Sequence, residues 1–239
     1  DVLSLFDGMS CGQIALNKRG VKYNNYLACE IDPYAIKIAQ KNFPQTIQLG
    51  DVTKLHEDSP ILHTGGGVDL LMGGSPCQGF SFAGKQLNFD DPRSKLFFEF
   101  VRLKDTLKPK YFLMENVPMK QDSQDIITKY LGVKPITINS SLFSAQNRKR
   151  LYWTNIKIDQ WVDKGIVLND ILENDGWFAD RDKSYCVDAN YFKGGSMKMY
   201  KEKSRRQLVF DTEKKKGCRQ IGIADIKGYD IIKRVYDPD

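Results

Sequence analysis

Histidine is almost missing from this chain, and cysteine is sparse and scattered. Only His56 and His63 occur in 239 residues, too few for a His-based metal site. The five cysteines (Cys11, Cys29, Cys77, Cys186 and Cys218) are odd in number and form no C-x-x-C pair, which speaks against a disulfide framework and against a Cys-rich zinc site. Unpaired thiols point to an intracellular, reducing compartment, where a reactive cysteine can persist. No apolar run approaches the roughly 20 residues of a membrane span, and no signal-peptide pattern opens the sequence. G-x-G-x-x-G is absent too, so the nicotinamide or flavin fingerprint is lacking.

What remains is an ordinary globular composition, 41% apolar and 28% charged, long enough for one large domain or one domain with a smaller lobe. The net charge of +6 is uneven. Residues 193–219 hold ten Lys and Arg against Glu202, Asp211 and Glu213, a local excess of +7. Such a patch fits a polyanion such as DNA; a solvated charged loop is the plain alternative.

The first 157 residues alternate strand and helix, the pattern of an α/β domain. Val2–Phe6 reads as a buried strand that breaks at Asp7-Gly8-Met9-Ser10-Cys11-Gly12 before a helical pattern through Ile14, Ala15 and Leu16. A strand, a glycine turn and a helix offer backbone N–H groups to a ligand. Tyr26–Glu30 is a second strand ending on an acid, 22 residues after Gly8, where a carboxylate can accept both ribose hydroxyls of an adenosine. Asp32 and Pro33 open the next helix as N-cap and first residue, and Asn42 and Pro44 end it. A third strand, Ile47–Asp51, ends on Asp51, placed to accept from an adenine amino group. Three strands ending on Asp7, Glu30 and Asp51 would make an acidic rim that repels phosphates and tolerates a neutral adenosine bearing a cationic sulfonium. Asp7 and Asp51 could equally be N-caps of the elements that follow.

Val68–Met72 is a fourth strand, running into Gly73-Gly74-Ser75-Pro76-Cys77-Gln78-Gly79-Phe80-Ser81. Two glycines permit close backbone approach, Pro76 stiffens the loop, and Cys77 stands at a carboxyl strand end, where open α/β sheets bind ligands. Phe82–Arg93 has no clear period and reads as a mobile segment beside the site; Ser94–Leu107 is helical. Tyr111–Met114 forms strand five and leads into Glu115-Asn116-Val117-Pro118. A short helix spans Gln124–Leu131, a strand Val133–Asn139, and Gln146-Asn147-Arg148-Lys149-Arg150 precedes the strand Leu151–Trp153. In extended chain Arg148 and Arg150 share a side. After about Ile158 the alternation stops, and short strands are expected at Ser184–Val187 and Gly222–Ile226.

In this order, over about residues 1–157, the motifs resemble those of the DNA cytosine-5 methyltransferase family. Phe6-Asp7-Gly8-Met9-Ser10-Cys11-Gly12 is similar to its first cofactor motif, Glu30 and Asp51 to its ribose and adenine contacts, and Pro76-Cys77-Gln78 to its nucleophile motif. Glu115-Asn116-Val117 resembles the acid motif, and Gln146, Arg148 and Arg150 the basic motif. Each is weak alone; five in series are specific. Asp7 is similar to the animal de novo branch, and the general texture to bacterial and phage members.

The resemblance implies a doubly wound, mostly parallel sheet of the class I S-adenosylmethionine-dependent methyltransferase type with a smaller irregular target-recognition lobe. The corresponding regions would be a catalytic domain over 1–158 and a partial target-recognition region over 159–239. It implies methyl transfer from S-adenosylmethionine, leaving S-adenosylhomocysteine, to C5 of a flipped-out cytosine in double-stranded DNA. Cys77 would be the nucleophile, Glu115 the group holding the cytosine edge, and Arg148 the cation favouring the thiolate. Cofactor contact would extend from Phe6–Gly12, Glu30 and Asp51 to Ile31, Val52, Pro76 and Leu96. DNA contact would fall on Gln78, Ser81, Arg148 and Arg150, with phosphate contacts from 193–219, and Gly79–Arg93 would be the active-site loop. No metal is implied.

The family's final Asn-rich and Pro-rich motif has no counterpart here. A longer protein, a second polypeptide carrying that motif, or a degenerate enzyme would each account for it. A prokaryotic or phage-encoded, DNA-associated protein of the cytoplasm is the expectation. The alternatives are a catalytically weak or regulatory DNA-binding relative and one subunit of a split enzyme. The sequence leaves restriction-modification, phage protection and regulatory marking equally open.

Overall fold

The computed structural model describes residues 1–76, 92–159, 161–173, 176–186, 208–211 and 218–220. The chain divides into two compact units, Asp1–Ile138 with Arg150–Ile158, and Asn139–Lys149 with Asp159–Asp239.

The first unit is built on β1 (Val2–Leu5), β2 (Tyr26–Cys29), β3 (Ile47–Gln48), β4 (Leu70–Gly73), β5 (Tyr111–Asn116), β6 (Ile136–Asn139) and β7 (Lys149–Thr154). They form one sheet in the order β3-β2-β1-β4-β5-β7-β6. β3, β2, β1, β4 and β5 pair in parallel, whereas β7 runs antiparallel to β5. Every residue of β1 and β2 is buried, as expected of central parallel strands covered on both faces. Strand order reverses between β1 and β4, and Leu5 registers with Gly73 there. The segments leaving these two strands are therefore neighbours at a topological switch point, where open α/β sheets bind ligands.

Helices α1 (Cys11–Lys18), α2 (Pro33–Asn42), α3 (Pro92–Leu107) and α4 (Gln121–Leu131) accompany the sheet. α2 starts as its sequence requires: Asp32 accepts from the Tyr34 amide at 2.9 Å, and Pro33 takes the first position. Phe97, Phe100 and Leu103 of α3 are fully buried in the main core beside Trp153 of β7, each such side chain contributing about 1.5–3 kcal/mol. Trp153 satisfies its indole N–H on Thr128 Oγ1 of α4 at 3.1 Å.

Several boundaries differ from expectation. β3 stops at Gln48 because Gly50 turns at φ 73°. β5 continues through Asn116, since Glu115 and Asn116 pair with Tyr152 and Leu151 of β7. α3 begins at Pro92 and α4 at Gln121. The polar stretch after β3 contains three 3₁₀ turns, Val52–Lys54, Pro60–Leu62 and Thr64–Gly66, which bury Val52 and Leu62.

The second unit has its own small core of Ala145, Leu168, Leu172 and Val209. β8 (Trp177–Ala179), β9 (Leu208–Asp211) and β10 (Cys218–Gln220) form an antiparallel sheet in the order β10-β9-β8. Lys183 ties the unit by donating to the carbonyls of Ser141, Ser144 and Ile166. The strand expected at Ser184–Val187 reduces to a single bridge from Ser184 to Gln146. Val187 and the expected strand at Gly222–Ile226 lie outside the described residues.

Candidate active site

The site is built from what leaves the carboxyl ends of β1, β2, β4 and β5. After Leu5 the chain takes left-handed φ values at alternate residues, 55° at Phe6, 58° at Gly8 and 64° at Ser10. Gly8 does this without strain, and a Cβ there would meet nothing within 4 Å. Phe6 and Ser10 are held in it by the surroundings: the Asp7 amide donates to Cys29 O at 3.1 Å and the Ser10 amide to Asp7 O at 3.0 Å.

Glu30, just past β2, accepts three backbone amides. Gly8 N donates to Oε2 at 2.7 Å, while Ile31 N and Asp32 N donate to Oε1 at 2.7 and 2.9 Å. The expected ribose acceptor is thus already fixed in direction by the turn it serves. Beside it Ile31 is 73% exposed, an apolar side chain left in water next to a carboxylate. Asp51 resolves one of its two readings: it caps the 3₁₀ turn, its Oδ1 accepting from Thr53 N at 3.0 Å and Thr53 Oγ1 at 2.8 Å. Those bonds to the Thr53 amide and hydroxyl hold its carboxyl below the usual range. Val52, the next residue, is buried.

Asp7 departs from its N-cap reading. The N-cap of α1 is Ser10 rather than Asp7, and the Asp7 carboxylate accepts from the Tyr26 hydroxyl at 2.9 Å. Burial pushes its carboxyl up, and the negative Glu30 adds to this, while the hydroxyls of Ser4, Ser10 and Tyr26 pull it back. Cys11 is exposed. Gly12 is closely packed, since a Cβ there would meet Met72 Cε at 2.7 Å and the Tyr26 hydroxyl at 3.0 Å. Met9 completes the turn.

At the end of β4, glycine is again required by close approach. A Cβ on Gly73 would lie 3.0 Å from the Phe100 ring and 3.2 Å from Leu5 O, and one on Gly74 would lie 3.1 Å from Glu115 Oε2. Ser75 is buried and Pro76 exposed. Asn116, 2% exposed, braces this loop: its Nδ2 donates to Ser75 O at 3.2 Å, and its Oδ1 accepts from Val117 N at 2.8 Å. Glu115 stands beside Gly74 and forms an ion pair with Arg150, Nε to Oε1 2.9 Å. Arg150, expected as a DNA contact, here pairs with Glu115. Leu96 of α3 is partly buried against the main core. Cys77, Gln78 and Ser81, with most of the expected loop Gly79–Arg93, lie outside the described residues, as does most of the basic stretch 193–219.

Arg148 belongs to the second unit. Its guanidinium lies 3.2 Å from Cys186 Sγ, and its amide donates to Asn139 Oδ1 at 2.9 Å. Among the other thiols, Cys29 is buried and its pKa is pushed up to about 12, by burial first and then by the charges of Asp51 and Asp7, so it is no nucleophile at neutral pH. Among the described residues no group of three His, Cys, Asp or Glu could hold a metal ion, and no helix is long and apolar enough to cross a membrane.

Three side-chain roles escaped the sequence reading: Tyr26 on Asp7, Asn116 on the Ser75 loop, and Arg150 on Glu115. The alternation of Arg148 and Arg150 was visible, but the antiparallel pairing that sets Arg150 beside Glu115 was not.

Comparison with known proteins points the same way. The profile of the C-5 cytosine-specific DNA methylase family matches residues 1–207. The orphan methyltransferase M.Rho11sI of Bacillus phage rho11s is 35% identical over 199 residues, covering 77% of this chain and 36% of that protein. The type II methyltransferase M.NgoBV of Neisseria gonorrhoeae is 35% identical over 175 residues, covering 64% of this chain and 40% of its own. The chain therefore spans about two fifths of the length of these curated relatives. A mutant form of Spodoptera frugiperda DNMT2 shares the fold at a TM-score of 0.57 and 21% identity, over 80% of this chain and 71% of that one. So does a protein assigned as a DNA modification methyltransferase, encoded within an E. coli prophage, at 0.51 and 24%, over 87% and 70%.

Proposed function

Since the chain belongs to the C-5 cytosine-specific DNA methylase family, we propose that it methylates C5 of cytosine in DNA from S-adenosylmethionine through a covalent Cys77 adduct. The observation that carries this reading is the closeness of Gly74 to Glu115 at the switch-point side of the sheet, 3.1 Å from a built Cβ to Oε2. A loop that presents a cysteine three residues later thus starts against a carboxylate.

The residues present fit the cofactor. The turn Phe6–Gly12 supplies backbone amides at the start of α1. Glu30 keeps room for a ribose hydroxyl, since a carboxylate has about four acceptor sites and three are used by amides. Ile31 offers an exposed apolar contact for the adenine, with Val52 behind and Asp51 available to the amino group; Pro76 and Leu96 complete the contact. S-adenosylmethionine, when bound, supplies a methyl group on a cationic sulfonium.

The chain's own groups do the rest. The Cys77 thiolate adds to cytosine C6, which makes C5 carbanion-like. Glu115 holds the N3 and exocyclic-amine edge and favours the shift of charge into the ring. Arg150 fixes the direction of that carboxylate. Bound S-adenosylmethionine would supply the methyl to C5 and leave as S-adenosylhomocysteine. Loss of the C5 proton to a base then expels Cys77 by β-elimination and restores the thiolate. The target base must leave the helix, at a few kcal/mol of unstacking, and Gln78 and Ser81, close to Cys77 in sequence, are its proposed contacts. The second unit, with Arg148 and the basic run 193–219, supplies DNA contact, so affinity falls as salt rises. DNA of a bacterium or its phage in the cytoplasm is the proposed setting.

Mass spectrometry of the protein with S-adenosylmethionine and a duplex containing 5-fluorocytosine tests this. A methylated covalent adduct that Cys77→Ala abolishes is the expected result. Cofactor binding without an adduct would overturn the reading as an active enzyme.

A further inference from the structure

We propose that Tyr26 and Asp7 are a positioning pair that holds the turn Phe6–Gly12 in its receptive shape from the side a ligand does not touch. The inference rests on the cofactor reading above and names the residues that prepare that site.

The turn needs such support. Two of its left-handed residues, Phe6 and Ser10, are not glycine, and such conformations persist only when the surroundings over-determine them. One support is Glu30, which accepts from Gly8 N. Glu30 is also the group proposed to accept ligand hydroxyls, so its hold on Gly8 is shared at the moment of binding. The other support is internal. Tyr26 is 2% exposed and packs with Val2, Ala28 and Met72. Its hydroxyl donates to Asp7 Oδ1 at 2.9 Å and also lies 3.0 Å from the position a Gly12 Cβ would occupy. A single buried hydroxyl thus sets both the second residue of the turn and the second residue of α1. Ser10, the residue between them that caps the helix, is 0% exposed. Preorganisation of this kind lowers the ordering cost of binding; it does not act on the transferred methyl.

The test uses the full chain, with cofactor affinity by calorimetry, backbone amide exchange at residues 8–12, and adduct formation at saturating cofactor. Tyr26→Phe is expected to weaken S-adenosylmethionine binding about 10–100-fold, the equivalent of one lost hydrogen bond to a charged group. Exchange in the turn should quicken and the saturated rate stay unchanged. Asp7→Asn, which keeps an acceptor for the hydroxyl, should bind within about twofold of the parent. In an Asp7→Ala background Tyr26→Phe should change nothing further. Unaltered exchange and affinity in a folded Tyr26→Phe protein would overturn the proposal, and so would an effect of equal size in the Asp7→Ala background. A parent that binds no S-adenosylmethionine, with exchange still responding to Tyr26→Phe, would leave the positioning pair standing and remove the cofactor reading instead.

Discussion

Glu30 and Glu115 stand at the carboxyl ends of two strands of the same sheet, yet they are held in opposite ways. Glu30 is gripped by three backbone amides of its own and the neighbouring turn. Glu115 is paired with one long side chain, Arg150, and rests against a glycine. An acid held by amides cannot turn without moving the backbone, which suits a group that must recognise a hydroxyl in one fixed place. An acid held by a guanidinium can exchange partners as charge moves, which suits a group that must follow a base through addition and elimination. On the proposed reading, the cofactor side would be held by backbone amides and the target side by a single side-chain pair.

The sharpest way to break this comparison is to neutralise each acid. Glu115→Gln should lower the methylation rate by about 10²–10⁴-fold, the usual range for removal of an acid–base group. Cofactor affinity, read by calorimetry, should stay within about twofold. Glu30→Ala should do the reverse. Its carboxylate makes charged hydrogen bonds worth about 1.5–3 kcal/mol, so cofactor binding should weaken about 10–100-fold while the rate at saturating cofactor changes little. If both variants lose affinity equally, the two acids do not serve separate halves of the site.

Gly74→Ala sharpens the target side alone. A methyl there would press on Glu115 Oε2 at 3.1 Å, and the carboxylate must give by a few tenths of an ångström against its pairing with Arg150. Misplacement of a reacting group on that scale is expected to cost about tenfold or more in rate, with melting temperature nearly unchanged. A single-turnover assay with S-adenosylmethionine in excess reads this directly. No change in rate would mean that Glu115 is not confined by the loop after β4.

How much of this was legible in the sequence follows from the range of the forces involved. β1, β2 and β4 could be read because their burial leaves near-continuous apolar runs, and α2 because Asp32 and Pro33 are local signals. The strand ends carrying Glu30 and Glu115 were visible for the same reason. Asp7 could not be assigned: its partner, Tyr26, is nineteen residues away and pairs with Val2 at the other end of β1, so the contact depends on the folded path of the turn. The Arg150 pairing depends likewise on β7 running antiparallel to β5, a direction no local pattern encodes. The sheet β8-β9-β10 consists of strands of three or four residues, too short for an alternation to stand out.

The smallest effect expected is on the pH dependence of stability, and it separates a buried acid from an exposed one within the cofactor half. Burial raises the Asp7 carboxyl above its ordinary value near 3.8, with Glu30 adding and the Ser4, Ser10 and Tyr26 hydroxyls opposing; burial also raises the Tyr26 hydroxyl and the Cys29 thiol, so both stay neutral at these pH values. The folded chain then keeps this proton to higher pH than the unfolded chain, so its ionisation lowers stability as pH rises through that window, and the cost is complete above the folded pKa. Asp51 has the opposite sign: the Thr53 bonds lower its carboxyl, a contribution present above about 3.8 and lost as pH falls through the folded value. Melting curves from neutral pH down to about 4 should show Asp7→Asn gaining on the parent at neutral pH and losing that advantage on acidification. Asp51→Asn should trail the parent at neutral pH and converge with it only in acid. Parallel curves for the parent and Asp7→Asn would mean that the Tyr26 and serine hydroxyls fully offset the burial of Asp7, leaving an inner acid as comfortable as the capping acid outside.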